Sequence, residues 1–302
     1  MELGTAKLGI TAVYGGRARS AIQVVLVLGA HWALYNAVQY SLYAVAPSLF
    51  RPSLFRVPLV GLIEFVAVGV CLCFVWRSQL AAALSPRRLK FLQYFAVGAL
   101  LGSACFSLHI LGYGAAGILA ITGHFRSYPW LGAAAGALLI TAPREVLFRG
   151  FVLNRLEQAW GSMWALCLSS VFFGIAMTHG WELGRNLPYL AGHAASVALL
   201  GLVYGAGYLA FRQLWFAIGL SFGYALYTPV VYGDWSSGLR PYLRVIWHTH
   251  VNRPFGEVFW MYCATMLFVA ILFLSIAIRR TADLSPSWPD SEHTEAPISP
   301  EE

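Results

Sequence analysis

Eight apolar segments of roughly 20 residues each account for most of this 302-residue sequence. A bilayer core is about 30 Å thick, and about 20 residues of α-helix cross it, so each segment predicts one membrane span. Composition agrees, since 59% of the residues are hydrophobic and 11% are charged, whereas soluble domains average about 25% charged residues. We therefore predict an all-α fold, a polytopic membrane helix bundle of about eight transmembrane helices. The predicted spans are 20–45, 57–76, 91–113, 128 to a charged run at 142–150, 162–178, 187–211, 214–232 and 257–278.

The distribution of Lys and Arg predicts an orientation. An even number of spans puts both termini on one side, and that side carries 13 Lys and Arg residues against 7 on the other. By the positive-inside rule, we predict a multi-pass protein of the cell membrane with both termini cytoplasmic. The formal net charge of +7 does not indicate nucleic-acid binding, because the basic residues are scattered between apolar segments. We expect the lipid bilayer as the environment and no nucleic-acid partner.

The charged run at 142–150 places Arg144, Glu145 and Arg149 at the end of an apolar segment. Insertion scales give a free-energy cost of roughly 2.5 to 3.5 kcal/mol for a charged residue at the centre of a membrane helix. A charged side chain there therefore needs a polar environment. Glu145 and Arg149 are four residues apart with the acid first, the favourable order for an ion pair on a helix. A structural pair near the headgroups is one interpretation, and a functional site is the other. The next segment, Phe151–Gly161, predicts an amphipathic helix lying at the interface.

Few other ionisable residues fall inside the predicted spans. Glu145 and His179 are the most suggestive pair, because each lies near the C-terminal end of one of two consecutive spans, and consecutive helices usually neighbour each other. In simple antiparallel helices those ends lie on opposite faces, so a meeting requires one residue to lie deeper in the membrane. For the other ionisable residues, the ordinary interpretation is a role in packing or hydrogen bonding. These residues are His31, Glu64, His109, His193 and Glu257. The five cysteines all fall within spans and predict buried apolar positions rather than zinc ligands or disulfides.

The run at 142–150 resembles the first motif of the CAAX-protease and bacteriocin-processing family of intramembrane proteases. That motif is Glu-Glu-x-x-x-Arg, commonly followed by Gly. Glu145 and Arg149 match it, while Arg144 replaces the first Glu. The segment ending in His179 loosely resembles the second motif, Phe-x-x-x-His, with Ile175 in place of the Phe.

The third motif of the family is a His followed four residues later by Asn or Asp, behind Leu-Trp and Ile-Gly-Leu. Leu214–Leu220 reproduces this lead-in, but Ser221 and Ala225 stand where the His and the Asn are expected. His248 and Asn252 have the spacing without the flanking residues and are the alternative for this motif.

The resemblance covers about residues 130–230, and it implies an eight-helix membrane core, in agreement with the span count. We predict N-terminal transmembrane helices, about three in number, then a protease-like core, a polar connection with the last transmembrane helix, and a disordered polar tail. These parts are residues 1–127, 128–232, 233–280 and 281–302.

The resemblance implies an intramembrane endopeptidase that cleaves membrane-embedded or prenylated protein substrates with an activated water. It implies Glu145 and His179 as the residues that activate the water, with Arg149 belonging to the same catalytic motif. In the family, the His and Asn of the third motif steady the oxyanion, and here only Ser221 carries a hydrogen-bond donor for that role.

The departures from the motifs support a second interpretation. The guanidinium of Arg144 has no proton acceptor, and Ala225 has no side-chain donor. A catalytically inactive family member that acts as a membrane scaffold or an immunity-type partner-binding protein is therefore the alternative. A transporter, suggested by Glu64 and the buried histidines, is a third interpretation. Metal dependence, any cofactor, the substrate and the oligomeric state are left open by the sequence.

Overall fold

The computed structural model describes residues 3–46, 56–75, 90–124, 130–178, 186–232, 242–248 and 256–283. Helices dominate these residues, and two short strands accompany them. In chain order the elements are α1 (Leu3–Val45), α2 (Arg56–Val75), α3 (Lys90–Ala115), β1 (Leu119–His124), α4 (Trp130–Glu145), a π-helical segment (Val146–Leu153), α5 (Asn154–Trp160), α6 (Ser162–Ala176), α7 (Leu187–Phe211), α8 (Leu214–Tyr232), β2 (Leu243–Trp247) and α9 (Glu257–Asp283).

The predicted all-α membrane bundle is confirmed. A helix satisfies its own backbone hydrogen bonds, which is why long apolar segments cross a bilayer in this form. Five described helical stretches are long and apolar enough to do so: Arg17–Leu42, Lys90–Ala115, Trp130–Trp160, Leu187–Phe211 and Glu257–Arg280. Shorter apolar helices occupy the three remaining predicted spans: Leu59–Cys73, Ser162–Ala176 and Leu214–Thr228. The chain is a multi-pass membrane protein.

The segment after Glu145 differs from the prediction in its first part. Phe151, Val152 and Leu153 are completely buried inside the bundle, whereas the amphipathic α5 that follows buries Leu156 and Ala159 and exposes Gln158. The interfacial position of α5 stays a prediction. The helix does not end at the charged run, since the π-helical segment carries it on from α4 into α5 as one stretch of 31 residues, Trp130–Trp160.

This continuity places the charged residues inside one continuous helical stretch rather than at its end. Arg144 is 14 residues from Trp130 and 16 from Trp160, or about 21 Å and about 24 Å at a rise of 1.5 Å per residue. Arg144 and Arg149 therefore do not belong to the cytoplasmic charge count. Without them the count of Lys and Arg is 11 against 7, which keeps the predicted orientation.

Helices α3 and α8 pack backbone to backbone. Each helix presents two glycines four residues apart: Gly98 and Gly102 on α3, and Gly219 and Gly223 on α8. A Cβ atom at Gly102 would lie 2.0 Å from the carbonyl oxygen of Leu220. Small residues at this spacing let membrane helices approach closely, and this contact holds the part of α8 that carries Ser221.

A two-stranded antiparallel sheet joins the connection after α3 to the connection before α9, and the sequence did not predict it. Leu119 pairs with Trp247, and the register shifts between Ile121 and Gly123. The backbone N–H of His248 donates to the carbonyl oxygen of Ile118 at 2.9 Å and extends the pairing. Strands this short are stabilised by a partner far away in the sequence, which local patterns do not reveal.

Three predictions lie outside the described residues: His179, Asn252 and the polar tail beyond residue 283. The cysteine prediction is partly wrong, because Cys73 and Cys167 are exposed on helix surfaces, while Cys71 and Cys263 are buried.

Candidate functional site

Glu145 and Arg149 form the predicted ion pair at the junction of α4 and the π-helical segment. Oε2 of Glu145 lies 3.2 Å from Nε of Arg149, and both side chains are almost completely buried. The distance between the two atoms is that of an ion pair, but their relative orientation is not that of a hydrogen bond. The helix continues past the pair to Trp160, so the pair does not stand at a helix end.

The Arg149 guanidinium is held by further contacts from two other helices. Its Nη2 donates to the carbonyl oxygen of Gly201 on α7 at 2.6 Å. Its central carbon lies 4.7 Å from the ring centroid of Phe173 and 5.5 Å from that of Tyr204. A desolvated cation over aromatic faces gains roughly 2 kcal/mol from each good contact. Phe173 belongs to the segment that resembles the second motif, and here it supports the first.

The residue at the first position of the third motif, Ser221, also lies at this site. Ser221 on α8 is buried and lies close to Glu145 and Tyr204. Thus residues of α6, α7 and α8 surround the pair of Glu145 and Arg149. Ala225, one turn further along α8, is partly buried and supplies no polar side-chain atom.

Arg144 points away from Glu145 and enters a second polar cluster. Its Nε donates to Oε1 of Glu64 on α2 at 3.2 Å. Nε2 of His31 on α1 lies 3.3 Å from the same oxygen. Glu64 and His31 are buried, whereas 19% of the Arg144 side chain is exposed. Adjacent residues on a helix point about 100° apart. Arg144 and Glu145 therefore belong to two different clusters of polar side chains.

The remaining polar candidates lie in other surroundings. His109 is buried, and its ring contacts Tyr113 at 4.3 Å and Tyr262 at 5.0 Å between centroids. His193 stacks on Tyr189 at 6.4 Å between centroids. Within the described ranges, no group of three or more His, Cys, Asp or Glu side chains is arranged to hold a metal ion.

Sequence reasoning found the residues of the motif and missed their partners. Tyr204 and the carbonyl group of Gly201 contact the site, but neither residue stands out in an apolar segment. Glu64 and His31 were identified as polar residues at membrane depth, yet the sequence did not connect them with Arg144. One available signal was the balance of charge, because a buried arginine needs a carboxylate and few carboxylates lie at this depth.

Comparison with known proteins finds a family model that is similar to this part of the chain. No curated protein sequence matches the chain. A family model described as Type II CAAX prenyl endopeptidase Rce1-like matches residues 125–227, about a third of the chain. The match includes both arginines, Glu145 and Ser221, and it nearly coincides with the predicted stretch of about 130–230. Residues 125–227 are therefore similar to the CAAX-protease family, in agreement with the resemblance of the motifs.

Proposed function

We propose that this protein is a catalytically inactive CAAX-protease-family member that binds a membrane partner without cleaving it. The observation that carries the proposal is the ion pair between Arg144 and Glu64. The family places a carboxylate at the position of Arg144. Here that position holds a cation, and a carboxylate from α2 neutralises it.

The surroundings of Glu145 support the same proposal. A general base has to take a proton from a water within hydrogen-bond reach. The Glu145 carboxylate is completely buried, forms an ion pair with Arg149 and lies beside Ser221. Both of its oxygens are shielded from solvent, so a water would have to enter the bundle to reach them. This arrangement stabilises the bundle, and it leaves the matched frame available as a surface for another membrane protein.

An endopeptidase is the second candidate, and the family match favours it. In this case Glu145 and His179 activate the water, Arg149 orients Glu145, and Ser221 donates to the oxyanion. The substrates would be membrane-embedded or prenylated proteins. The two candidates differ in one measurable property, which is cleavage by the purified protein.

The test uses the full chain in lipid vesicles, assayed against a panel of transmembrane and prenylated peptides. We expect no cleavage by the native protein. Cleavage that falls roughly 10²–10⁴-fold in Glu145→Gln, with the fold preserved, would establish the endopeptidase instead. The matched control is Glu257→Gln, because Glu257 is an exposed acid at the start of α9.

The converse experiment uses a variant in which the residue types of the family's motifs are restored. Arg144→Glu alone would set a second carboxylate against Glu64, so the substitution is combined with Glu64→Gln, Ser221→His and Ala225→Asn. If the family's chemistry was lost at these positions, the combined variant gains cleavage that the native protein lacks. The variant without Arg144→Glu is the control, because it leaves the cation in place.

A further inference from the structure

Basic side chains collect at one end of the helix bundle. Near the end of α9, Nη1 of Arg280 donates to the carbonyl oxygen of Ala210 at 3.0 Å, so the ends of α9 and α7 lie side by side. Directly after α7, Arg212 forms two bonds to Glu157 near the end of α5, at 2.6 Å and 2.7 Å. The helices α5, α7 and α9 therefore end together, and we call this part of the molecule the basic end.

Helices α3 and α8 both begin at the basic end. The ring of Phe91, in the first turn of α3, lies 5.2 Å from that of Trp215, in the first turn of α8. Helix α8 begins two residues after Arg212. Lys90, the first residue of α3, is therefore at the basic end and is exposed there.

Helix α1 approaches the same end with its first half. Val24 belongs to the same buried cluster as Leu156 of α5. Seven residues later, His31 lies 3.3 Å from the Glu64 oxygen that Arg144 also contacts. Because Leu156 is nearer than Arg144 to the end of α5, α1 runs antiparallel to the stretch 130–160. The residues before Val24 therefore lead to the basic end.

The exposed cations at the basic end outnumber the acids. They are Arg17, Arg19, Lys90, Arg212, Arg279 and Arg280. Among the described side chains at this end, the acid is Glu157, which Arg212 already binds. Four of the six cations have no ion-pair partner within the described ranges: Arg17, Arg19, Lys90 and Arg279. The basic end therefore carries a surplus of positive charge.

An acidic segment follows the basic end in the chain. Residues 284–302 continue from α9, outside the described residues, and they contain five of the chain's 13 Asp and Glu residues and no Lys or Arg. The five acids are Asp290, Glu292, Glu295, Glu301 and Glu302. A chain of this length reaches up to about 63 Å when fully extended, whereas packed helices lie about 8–10 Å apart. The segment is therefore long enough to reach every cation of the basic end.

We infer that residues 284–302 bind to the basic end of their own chain. Exposed ion pairs are individually weak, but this segment is joined to its site, and a short linker gives an effective concentration in the millimolar range. Its charge is opposite to that of the site, and its first residue starts there. The bound segment covers the basic end and competes with any other acidic ligand for it, such as an anionic lipid headgroup.

Crosslinking with a carbodiimide tests the inference, because this reagent joins a carboxylate to an amine without adding a spacer. Lys90 is the reporter, since the chain has two lysines, Lys7 and Lys90. The full chain is treated in phosphatidylcholine vesicles, and mass spectrometry of the monomer-sized product quantifies the peptide that joins Lys90 to an acid of residues 284–302. We expect this product at about 0.01 M salt and at least about fivefold less of it at about 1 M salt, because the Debye length falls from about 30 Å to about 3 Å.

Two triple variants locate the contact. Arg17→Gln, Arg19→Gln and Arg279→Gln together remove three exposed charges of the basic end and keep Lys90, so the crosslink should fall at least about threefold. The matched control removes three charges in or next in sequence to the strands β1 and β2, by Arg126→Gln, Arg240→Gln and Arg244→Gln. This control should keep the native yield, and circular dichroism verifies the fold of both variants.

Four outcomes would overturn the inference. One is an equal yield at both salt concentrations, which would mean proximity without electrostatic binding. The second is an equal fall in the two triple variants, and the third is the absence of the crosslink while Lys90 still reacts with an amine-directed reagent. In vesicles of equal parts phosphatidylcholine and phosphatidylglycerol the crosslink should persist, because the segment is tethered. Its loss there is the fourth outcome, and it would assign the basic end to anionic lipid.

Discussion

Arg144 of α4 pairs with Glu64 of α2 at 3.2 Å, while its sequence neighbour Glu145 pairs with Arg149 at the same distance. The two pairs diverge because adjacent residues of a helix face different neighbours. Each cation therefore has its own carboxylate at membrane depth. The exchange of Glu for Arg at the first motif position is accompanied by an acid on a different helix.

Removal of the Arg149 side chain should destabilise the protein strongly. Arg149→Ala strands the buried Glu145 carboxylate and deletes the bond to Gly201. Breaking a buried ion pair from one side typically costs about 3–5 kcal/mol. Unfolding in detergent, followed by circular dichroism, measures the loss. Arg279→Ala is the control, since Arg279 is exposed near the end of α9, and equal melting of the two variants would contradict a structural role for the pair.

Glu64 and Arg144 should show energetic coupling in a double-mutant cycle. Glu64→Gln leaves the guanidinium without its carboxylate, and Arg144→Gln leaves the carboxylate without its guanidinium. The double variant removes both charges, so it should be more stable than the sum of the single effects predicts, by about 0.5–3 kcal/mol. The same denaturant titration checks all three variants. Strict additivity would mean that the contact at 3.2 Å contributes nothing to stability.

The close approach of α3 and α8 should not tolerate a side chain at Gly102. In Gly102→Ala the new methyl group meets the Leu220 carbonyl oxygen at 2.0 Å, so the helices have to separate. Overpacking of this kind costs about 1–3 kcal/mol, and a melting temperature in detergent reports it. Gly132→Ala on α4 is the matched control, because no atom lies within 4 Å of the added Cβ. A similar loss in both variants would point to a general sensitivity of helix glycines.

Reporter fusions test the predicted orientation. A reporter in the connection at 76–89 and another after residue 283 should both report the cytoplasm, because both positions lie on the side that is richer in Lys and Arg. A fusion in the connection at 233–241 is the control, and it should report the opposite side. An extracytoplasmic signal from the C-terminal fusion would exclude an even number of spans with a cytoplasmic N-terminus.

The sequence by itself determined that the chain is a membrane helix bundle, where its spans lie, and which family it resembles. Helices α7 and α8 begin and end at the predicted residues. Spans are local properties, because a helix forms its backbone hydrogen bonds within one segment and its apolar length has to match the bilayer. The motif around Glu145 is also a local pattern. The division into four parts and the catalytic roles of Glu145, Arg149 and His179 stay predictions.

Only the tertiary structure decided which acid each arginine meets, and that the helix continues through the motif. The π-helical segment after Glu145 carries the helix through the charged run and buries Phe151, Val152 and Leu153. The choice of Glu64 for Arg144, and of Tyr204 and Gly201 as neighbours of Arg149, depends on the rotation and packing of helices that are far apart in sequence. Such contacts are set by the shape of the assembled bundle, because a charge in a low-dielectric interior pairs with whichever opposite charge the packing brings within a few ångströms.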